Sequence, residues 1–331
     1  MIKRMGLRAL AVALSLLLIP AAVRGIEAQK AKKQADAEKT TQVTAAASDA
    51  GADEVIAVFL PEANETKTLS MRDYVIGCVA AEMPAVYEDA ALRAQAAASA
   101  ALARYMQANN KENDALKGGV IAADPASYQG YYTEEEMRER WGDDFDRYYQ
   151  KIAAAVDETL PYTLTYNGAP VVAAFHAVSS GETETAETAW GKAIPYLISV
   201  ESAGDKLCPG YASTETASPE AFKEALGLTP DDDDPATWLG AADYSDAGTL
   251  RALEVCDKTV SGQTLRKAFA LRSPAVRVEY DGEEFILKVT GYGHGVGMSQ
   301  YGADYYARQG LTWQEIIAHY YPGTTLTKAE K

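Results

Sequence analysis

Cysteine is scarce in this chain: three residues, Cys78, Cys208 and Cys256, cannot build a disulfide-stapled scaffold. Cationic side chains are outnumbered, 31 Lys and Arg against 47 Asp and Glu. The resulting net charge of -16 argues against nucleic-acid binding, because a phosphate backbone recruits Lys and Arg. No polybasic arm reverses that balance, and no internal repeat is visible. The dinucleotide fingerprint G-x-G-x-x-G is also missing. In the stretch GYGHGVGMSQYGA, Gly291 to Ala303, Val296 and Met298 occupy the places of its third glycine, and no Walker lysine follows. Neither Ser179 nor Ser180 stands in the G-x-S-x-G context of a hydrolase nucleophile.

What is present is a chain of 331 residues, 47% of them hydrophobic, enough for at least one full core. Lys3, Arg4 and Arg8 precede an apolar run from Leu10 to Val23, which is an export signal by charge placement. Ala21 and Val23 offer a mediocre cleavage site, so residues 1–25 are expected to remain as a single-pass anchor with Lys3 and Arg4 on the cytoplasmic side. A cleaved signal and a secreted protein form the alternative. Residues 26–52 mix Ala, Lys, Gln, Thr and Asp without an apolar period and read as a solvated stalk. The folded part is expected over 53–327, with 328–331 as a tail.

Within it, EVIAVFL and ETKTLS read as short strands around the turn PEAN, and Ser70 as the N-cap of a helix. That helix, MRDYVIGCVAAEMP, puts Tyr74, Val75, Cys78, Val79, Glu82 and Met83 on one face. After Pro84 comes an Ala-rich helix, so Tyr74 to Met106 reads as a helical hairpin. YTLTYNGAPVVAAF reads as a β-hairpin about Asn167-Gly168, and AVRVEYDGEEFILKVT as another about Asp281-Gly282. The span from Asp205 to Asp257 looks like an acidic, loop-rich surface excursion. Its Asp run between Pro230 and Pro235 suits solvent better than calcium. LTWQEIIAHYY is the last helix. These readings give an α+β class: helices and short antiparallel strands in one domain.

Glu82 is the candidate acid. A carboxyl on an apolar face loses hydration, and the negative end of a helix dipole before Pro84 also disfavours its charge, so its pKa should be raised. The competing reading is a Glu that escapes to solvent at the helix end. The glycine stretch suits a backbone passing close to an extended ligand, with His294, Ser299, Gln300 and Tyr301 as polar partners; a tight bend in a sheet is the alternative. His176 opens a polar cluster with Ser179 and Ser180 at a strand end. A zinc site from His176, His294 and His319 has no standard ligand spacing.

Together these segments resemble the stage II sporulation protein D and LytB-type family of sporulating bacteria. GYGHGVGMSQYGA is similar to its most specific signature. YVIGCVAAEMP, ALRAQAAASA, FHAVSSGETETAETAWGKAIPYL and VSGQTLRKAFALRS match further segments in order, over roughly Glu54 to Leu326. The resemblance implies a membrane-anchored, extracytoplasmic peptidoglycan lytic transglycosylase of forespore engulfment, not lysozyme-like in fold, with Glu82 of the E-M-P segment as catalytic acid. It implies glycan strands as substrate, lining contacts from His176, Ser179, Ser180, Tyr292, His294, Ser299, Gln300 and Tyr301, and a cell-wall amidase and sporulation membrane proteins as partners. The LytB-type relatives imply an alternative, a non-catalytic glycan-binding module that enhances an amidase. The chain departs from the family pattern at Ala100, Ala101 and Leu102, where Arg-Thr-Tyr is common, and at Ala177, Val178 and Ser180 of the central segment. Some members bind zinc through Cys and His after the second helix. Lys111 to Tyr132 contains neither residue, so no metal or other cofactor is expected. Cys208 and Cys256 are the disulfide candidates of an oxidising exterior.

Overall fold

A computed structural model describes residues 54–110 and 114–329; the expected anchor and stalk lie outside the described residues. Strand β1 (Val55–Leu60) pairs antiparallel with β2 (Glu65–Ser70) through the PEAN turn, where Asn64 takes a left-handed φ of 55°. Ser70 then caps α1 (Met71–Glu82), its hydroxyl accepting from the Asp73 N–H at 3.0 Å. The helix stops at Met83, extended because Pro84 disfavours helical geometry in the residue before it.

The Ala-rich α2 (Asp89–Asn109) follows, so the helical hairpin stands as expected. Its small side chains let several helices approach one axis. They are α1, α4 (Phe145–Thr159) and, from the end of the chain, α8 (Gln300–Arg308) and α9 (Trp313–Tyr320). Between α2 and α4 lie β3 (Ile121–Ala122), parallel to β1, and α3 (Glu134–Trp141), started by a Thr133/Glu136 capping box. Among the described residues no helix is long and apolar enough to cross a membrane.

Asn167-Gly168 makes the expected turn, with φ of 50° and 78°, between β4 (Tyr162–Tyr166) and β5 (Ala169–Pro170). The second strand, however, ends after two residues. Val171, Ala173 and Phe175 turn into the main core, and β6 (Phe175–His176) pairs in parallel with β13 (Met298–Ser299). The strands are therefore short but not all antiparallel. Strand β14 (Thr325–Lys328) closes the β4 sheet, which carries the folded domain one residue into the expected tail.

The 205–257 span corrects the expectation of a loop-rich excursion. It contains β7 (Ala212–Ala217), α6 (Pro219–Leu226), β8 (Leu239–Tyr244) and β9 (Leu250–Val255), and continues into β10 (Lys258–Val260) and α7 (Gly262–Ala268). With the hairpin of β11 (Val276–Tyr280) and β12 (Phe285–Thr290), these enclose a second hydrophobic core. The ring of Phe222 stacks on Phe285 at 4.0 Å, with Trp238 on the same ring at 5.7 Å. Strand β7 pairs along the whole of β12, so the span is stitched into the domain. The Asp run serves its own backbone: Asp232 accepts from Asp234 N–H, and Asp234 caps a turn of 3-10 helix. The described residues form one compact unit with short helix α5 (Ala186–Trp190) at its surface.

Candidate active site

Glu82 is the last residue of α1 and half-buried. Its Oε1 accepts a very short hydrogen bond from the Gly130 N–H, and its Oε2 lies 3.4 Å from Gln300 Nε2. Burial raises its pKa above the usual carboxyl value; the contacts from Gly130 and Gln300 oppose that rise without cancelling it. Sequence reasoning anticipated the burial but not the donors. Gly130 reaches the carboxyl because Gly77, earlier in α1, leaves room for the chain after it. A side chain at Gly77 would sit 2.4 Å from the Tyr131 ring, and Tyr132 N–H bonds Gly77 O at 3.1 Å. Gly130 itself leaves the approach open: a Cβ there would lie 3.1 Å from both Glu82 Oε1 and Ala81 Cβ, a tight contact that would press on the carboxyl.

Behind this carboxyl, buried polar groups run into the helix bundle. Gln300 Nε2 is 3.3 Å from Gln95 Oε1, and Gln95 Nε2 is 3.2 Å from Ser99 Oγ. Gln129 Nε2 donates to Tyr74 OH at 3.0 Å and approaches Ser99 O at 3.4 Å. Both Gln95 and Gln129 are fully buried, yet the sequence reading singled out neither. Gln95 carried a signal, a Gln amid alanines, where a buried amide needs a polar partner; Gln129, between Tyr128 and Gly130, carried none.

The glycine stretch has a different physical reason from the expected one. Gly291, Gly293, Gly295 and Gly297 all take positive φ, between 72° and 110°. The spaces where side chains would stand are occupied by the protein itself. A Cβ on Gly297 would lie 2.0 Å from Ala174 O, on Gly291 2.7 Å from Val178 O, and on Gly293 2.8 Å from His176 Cβ. These glycines let the stretch pack on residues 174–184 and deliver β13, Ser299 and Gln300 to the end of α1.

The expected lining residues divide accordingly. Gln300 meets Glu82. Ser179 and Ser299, expected to face a ligand, are buried instead: Ser179 N–H and Ser299 Oγ both donate to Asp205, a fully buried carboxyl. Ser180 Oγ donates to Ala247 O, and Tyr301 OH to Leu207 O with its ring edge-on to Tyr87. Tyr292 is exposed, beside Arg272. His176 Nδ1 faces Val296 O at 3.1 Å, so it carries the proton, and the buried Nε2 is a bare acceptor with no partner among the described residues. Its ring lies 5.7 Å from that of His294, which in turn lies 5.6 Å from the exposed indole of Trp190. Burial lowers the two histidines to about 3 and about 4, helped at His176 by His294 and at His294 by Arg266, so both are neutral at pH 7. His319 is held elsewhere, on Glu201 O and the ring of Tyr306. Among the described residues no cluster of three or more His, Cys, Asp or Glu is placed to hold a metal ion.

The expected Cys208–Cys256 bridge is corrected: all three cysteines are free. Cys208 ends the 3-10 turn that holds Asp205 (Ala203–Leu207), whereas Cys256 turns β9 into β10 with a φ of 52°, packed against the second core. A nearby cleft of about 580 Å3, lined by Glu187, Thr188, Arg251, Ser261 and Gln263 among others, does not include Glu82.

Comparison with known proteins places this arrangement. The family model described as Stage II sporulation protein matches residues 61–166, a span that holds Glu82, Gln95, Gln129 and Gly130 but not the glycine stretch. Stage II sporulation protein D of Bacillus subtilis (strain 168) is 35% identical over 276 residues, covering 83% of this chain and 79% of that protein. The protein of the same name from Bacillus amyloliquefaciens is 34% identical over 276 residues, with the same 83% and 79% coverage. More distant is a protein named Amidase enhancer from Bacillus subtilis (strain 168), 25% identical over 310 residues, which covers 76% of this chain but 40% of that longer relative. On the identity and coverage of the two sporulation proteins, the chain belongs to the stage II sporulation protein D family.

Proposed function

We propose that this chain is a peptidoglycan lytic transglycosylase that cleaves the MurNAc–GlcNAc β-1,4 bond during forespore engulfment. We further propose that residues 1–25 hold it in the cell membrane with the domain outside. The observation that carries the reading is the carboxyl of Glu82: half-buried, raised in pKa, and held on both oxygens by groups that do not titrate. A carboxyl that stays protonated above the ordinary range is suited to general acid work.

In the first step Glu82 gives its proton to the glycosidic oxygen as the C1–O bond breaks, and GlcNAc leaves as an alcohol. The carboxylate then takes the proton of the MurNAc C6 hydroxyl while O6 bonds to C1. The product is a 1,6-anhydro ring, no water is consumed, and Glu82 ends protonated as it began. An intramolecular nucleophile removes the need for the second carboxylate of ordinary glycoside hydrolysis. In keeping with this, the hydrogen-bond partners of Glu82 among the described residues are an amide and a backbone N–H.

A second reading has one observation in its favour, the 25% identity to a protein named Amidase enhancer. In that reading the domain binds glycan and stimulates a cell-wall amidase without cutting. The purified protein, incubated with glycan strands and followed by mass spectrometry, separates the two. Release of anhydro-MurNAc ends supports the enzyme. Unchanged strands, together with faster stem-peptide release when an amidase is added, support the enhancer.

A further inference from the structure

Three contacts run in line from Glu82 into the bundle: Glu82 Oε2 to Gln300 Nε2 at 3.4 Å, Gln300 Nε2 to Gln95 Oε1 at 3.3 Å, and Gln95 Nε2 to Ser99 Oγ at 3.2 Å. Gln95 and Ser99 are one turn apart on α2 and fully buried, and Gln300 is nearly so. The other oxygen, Oε1, faces the Gly130 N–H, which only donates. When Glu82 is protonated, the proton therefore belongs on Oε2, the oxygen that meets Gln300.

A carboxamide has a donor end and an acceptor end, and a hydroxyl can act as either. With Glu82 ionised, the chain runs as the contacts stand: Gln300 N–H donates to Oε2, Gln95 Oε1 accepts from Gln300, and Ser99 Oγ accepts from Gln95. With Glu82 protonated, half-turns of both amides reverse every bond. Oε2–H donates to Gln300 Oε1, Gln95 Nε2 donates to the same oxygen, and Ser99 O–H donates to Gln95 Oε1. Each state has three hydrogen bonds, so the carboxyl, the two amides and the hydroxyl stay linked in both.

We propose that Gln95 and Ser99 are positioning residues that hold the Gln300 amide against Glu82 in both of its protonation states. When a glycosidic oxygen takes the proton from Oε2, the amides return to donor polarity and meet the carboxylate that forms. That the two states alternate in turnover rests on the transglycosylase reading; the hydrogen-bond chain does not.

The groups around Glu82 leave its titration readable. On its own helix Tyr74 and Cys78 are kept neutral by burial. On the facing segment Tyr131 is pushed up to about 12 by burial, and on α8 Tyr301 is turned to Tyr87 and Asp304 to Arg308.

The test is a 13C NMR titration of the full chain with labelled glutamate carboxyls, the Glu82 signal being identified by its loss in Glu82→Gln. Gln300→Leu and Gln95→Leu should each shift the midpoint of Glu82 upward, because each removes or loosens the donor to the carboxylate. The double variant should move it no further than Gln300→Leu alone, as two links of one chain are not additive. An unchanged midpoint in Gln95→Leu, or additive shifts, overturns the proposal. Should Gln95→Leu not fold, Ser99→Ala serves: a smaller upward shift supports the proposal and no shift overturns it. Product release read in parallel should fall on the order of ten-fold in Gln95→Leu with glycan binding unchanged. A wild-type protein that releases no anhydro sugar defeats the transglycosylase reading, while the titration still decides the positioning.

Discussion

Asp205 Oδ1 accepts a hydrogen bond from Ser299 Oγ at 2.8 Å, inside a site with no exposure to solvent. Ser299 is also the N-cap of α8, its hydroxyl accepting from Gly302 N–H, and the next residue is Gln300. One carboxyl from the acidic span thus fixes the helix start that aims an amide at Glu82. The other oxygen, Oδ2, takes the Ser179 N–H at 2.7 Å, so residues 174–184 are tied to the same point.

Asp205→Ala should accordingly destabilise the domain by about 2–4 kcal/mol in urea unfolding, since it leaves two buried donors unpaired. Asp205→Asn should cost less, an amide keeping one acceptor. Burial raises the pKa of Asp205 above 3.8, the ordinary carboxyl value. Its contribution to stability is then fullest below that value and is lost as pH rises through the folded-state pKa. The Asn variant should flatten that part of the stability profile, and an Asn variant with the wild-type slope would refute the assignment.

The glycines give a sharper contrast. Gly297→Ala combines a φ of +72° with a Cβ 2.0 Å from Ala174 O, and should cost more than about 3 kcal/mol or abolish folding. Gly168 has nearly the same φ, +78°, but open space around it, so Gly168→Ala should cost only about 1 kcal/mol. Thermal melts of the two variants compare them. Equal losses would mean that backbone conformation alone, and not packing on residues 174–184, explains the alternating glycines.

That contrast also marks how far the sequence was readable. The hairpin of α1 and α2, the Ser70 cap and the burial of Glu82 all follow from local rules: a periodic apolar face, a hydroxyl before it, a proline after it. The second core around Phe222 and Phe285 did not, because its apolar residues are spread between acidic ones over seventy positions and show no single period. Gln95 and Gln129 escaped for a related reason. Their partners, Gln300 and Tyr74, lie 205 and 55 residues away, and only the tertiary fold brings them within reach. The glycine stretch was found by pattern, but pattern does not reveal what fills the space beside a glycine.

The free cysteines differ in reach. Cys78 is fully buried, whereas Cys208 and Cys256 are partly accessible. A thiol reagent applied to the folded, non-reduced protein should modify Cys208 and Cys256 and spare Cys78 until denaturant is added. Burial and the neighbouring Asp205 push Cys208 up to about 11, so its labelling should be slow at pH 7 and quicken as pH rises. A protein in which neither partly accessible thiol reacts until reductant is added would restore the bridge.

Glu82→Gln tests the reaction itself. The substitution keeps the shape and removes the transferable proton, so release of anhydro ends should fall by about 10²–10⁴-fold, the range for a positioned general acid or base. Glycan binding should persist, since the new amide retains an oxygen for the Gly130 N–H, and a half-turn of Gln300 relieves the meeting of two N–H groups. Stability at neutral pH should hold or rise: burial raises the Glu82 pKa, so its ionised form is disfavoured in the fold and the neutral amide escapes that cost. The first step needs the protonated acid, so wild-type activity should fall as pH increases through the Glu82 pKa, on the alkaline side of the ordinary carboxyl value of 4.5. The assay is anhydro-product release across pH beside glycan pull-down for both proteins. If Glu82→Gln kept full activity, or lost binding and stability together, the carboxyl would be a structural end to α1, and the amidase-enhancing reading would take its place.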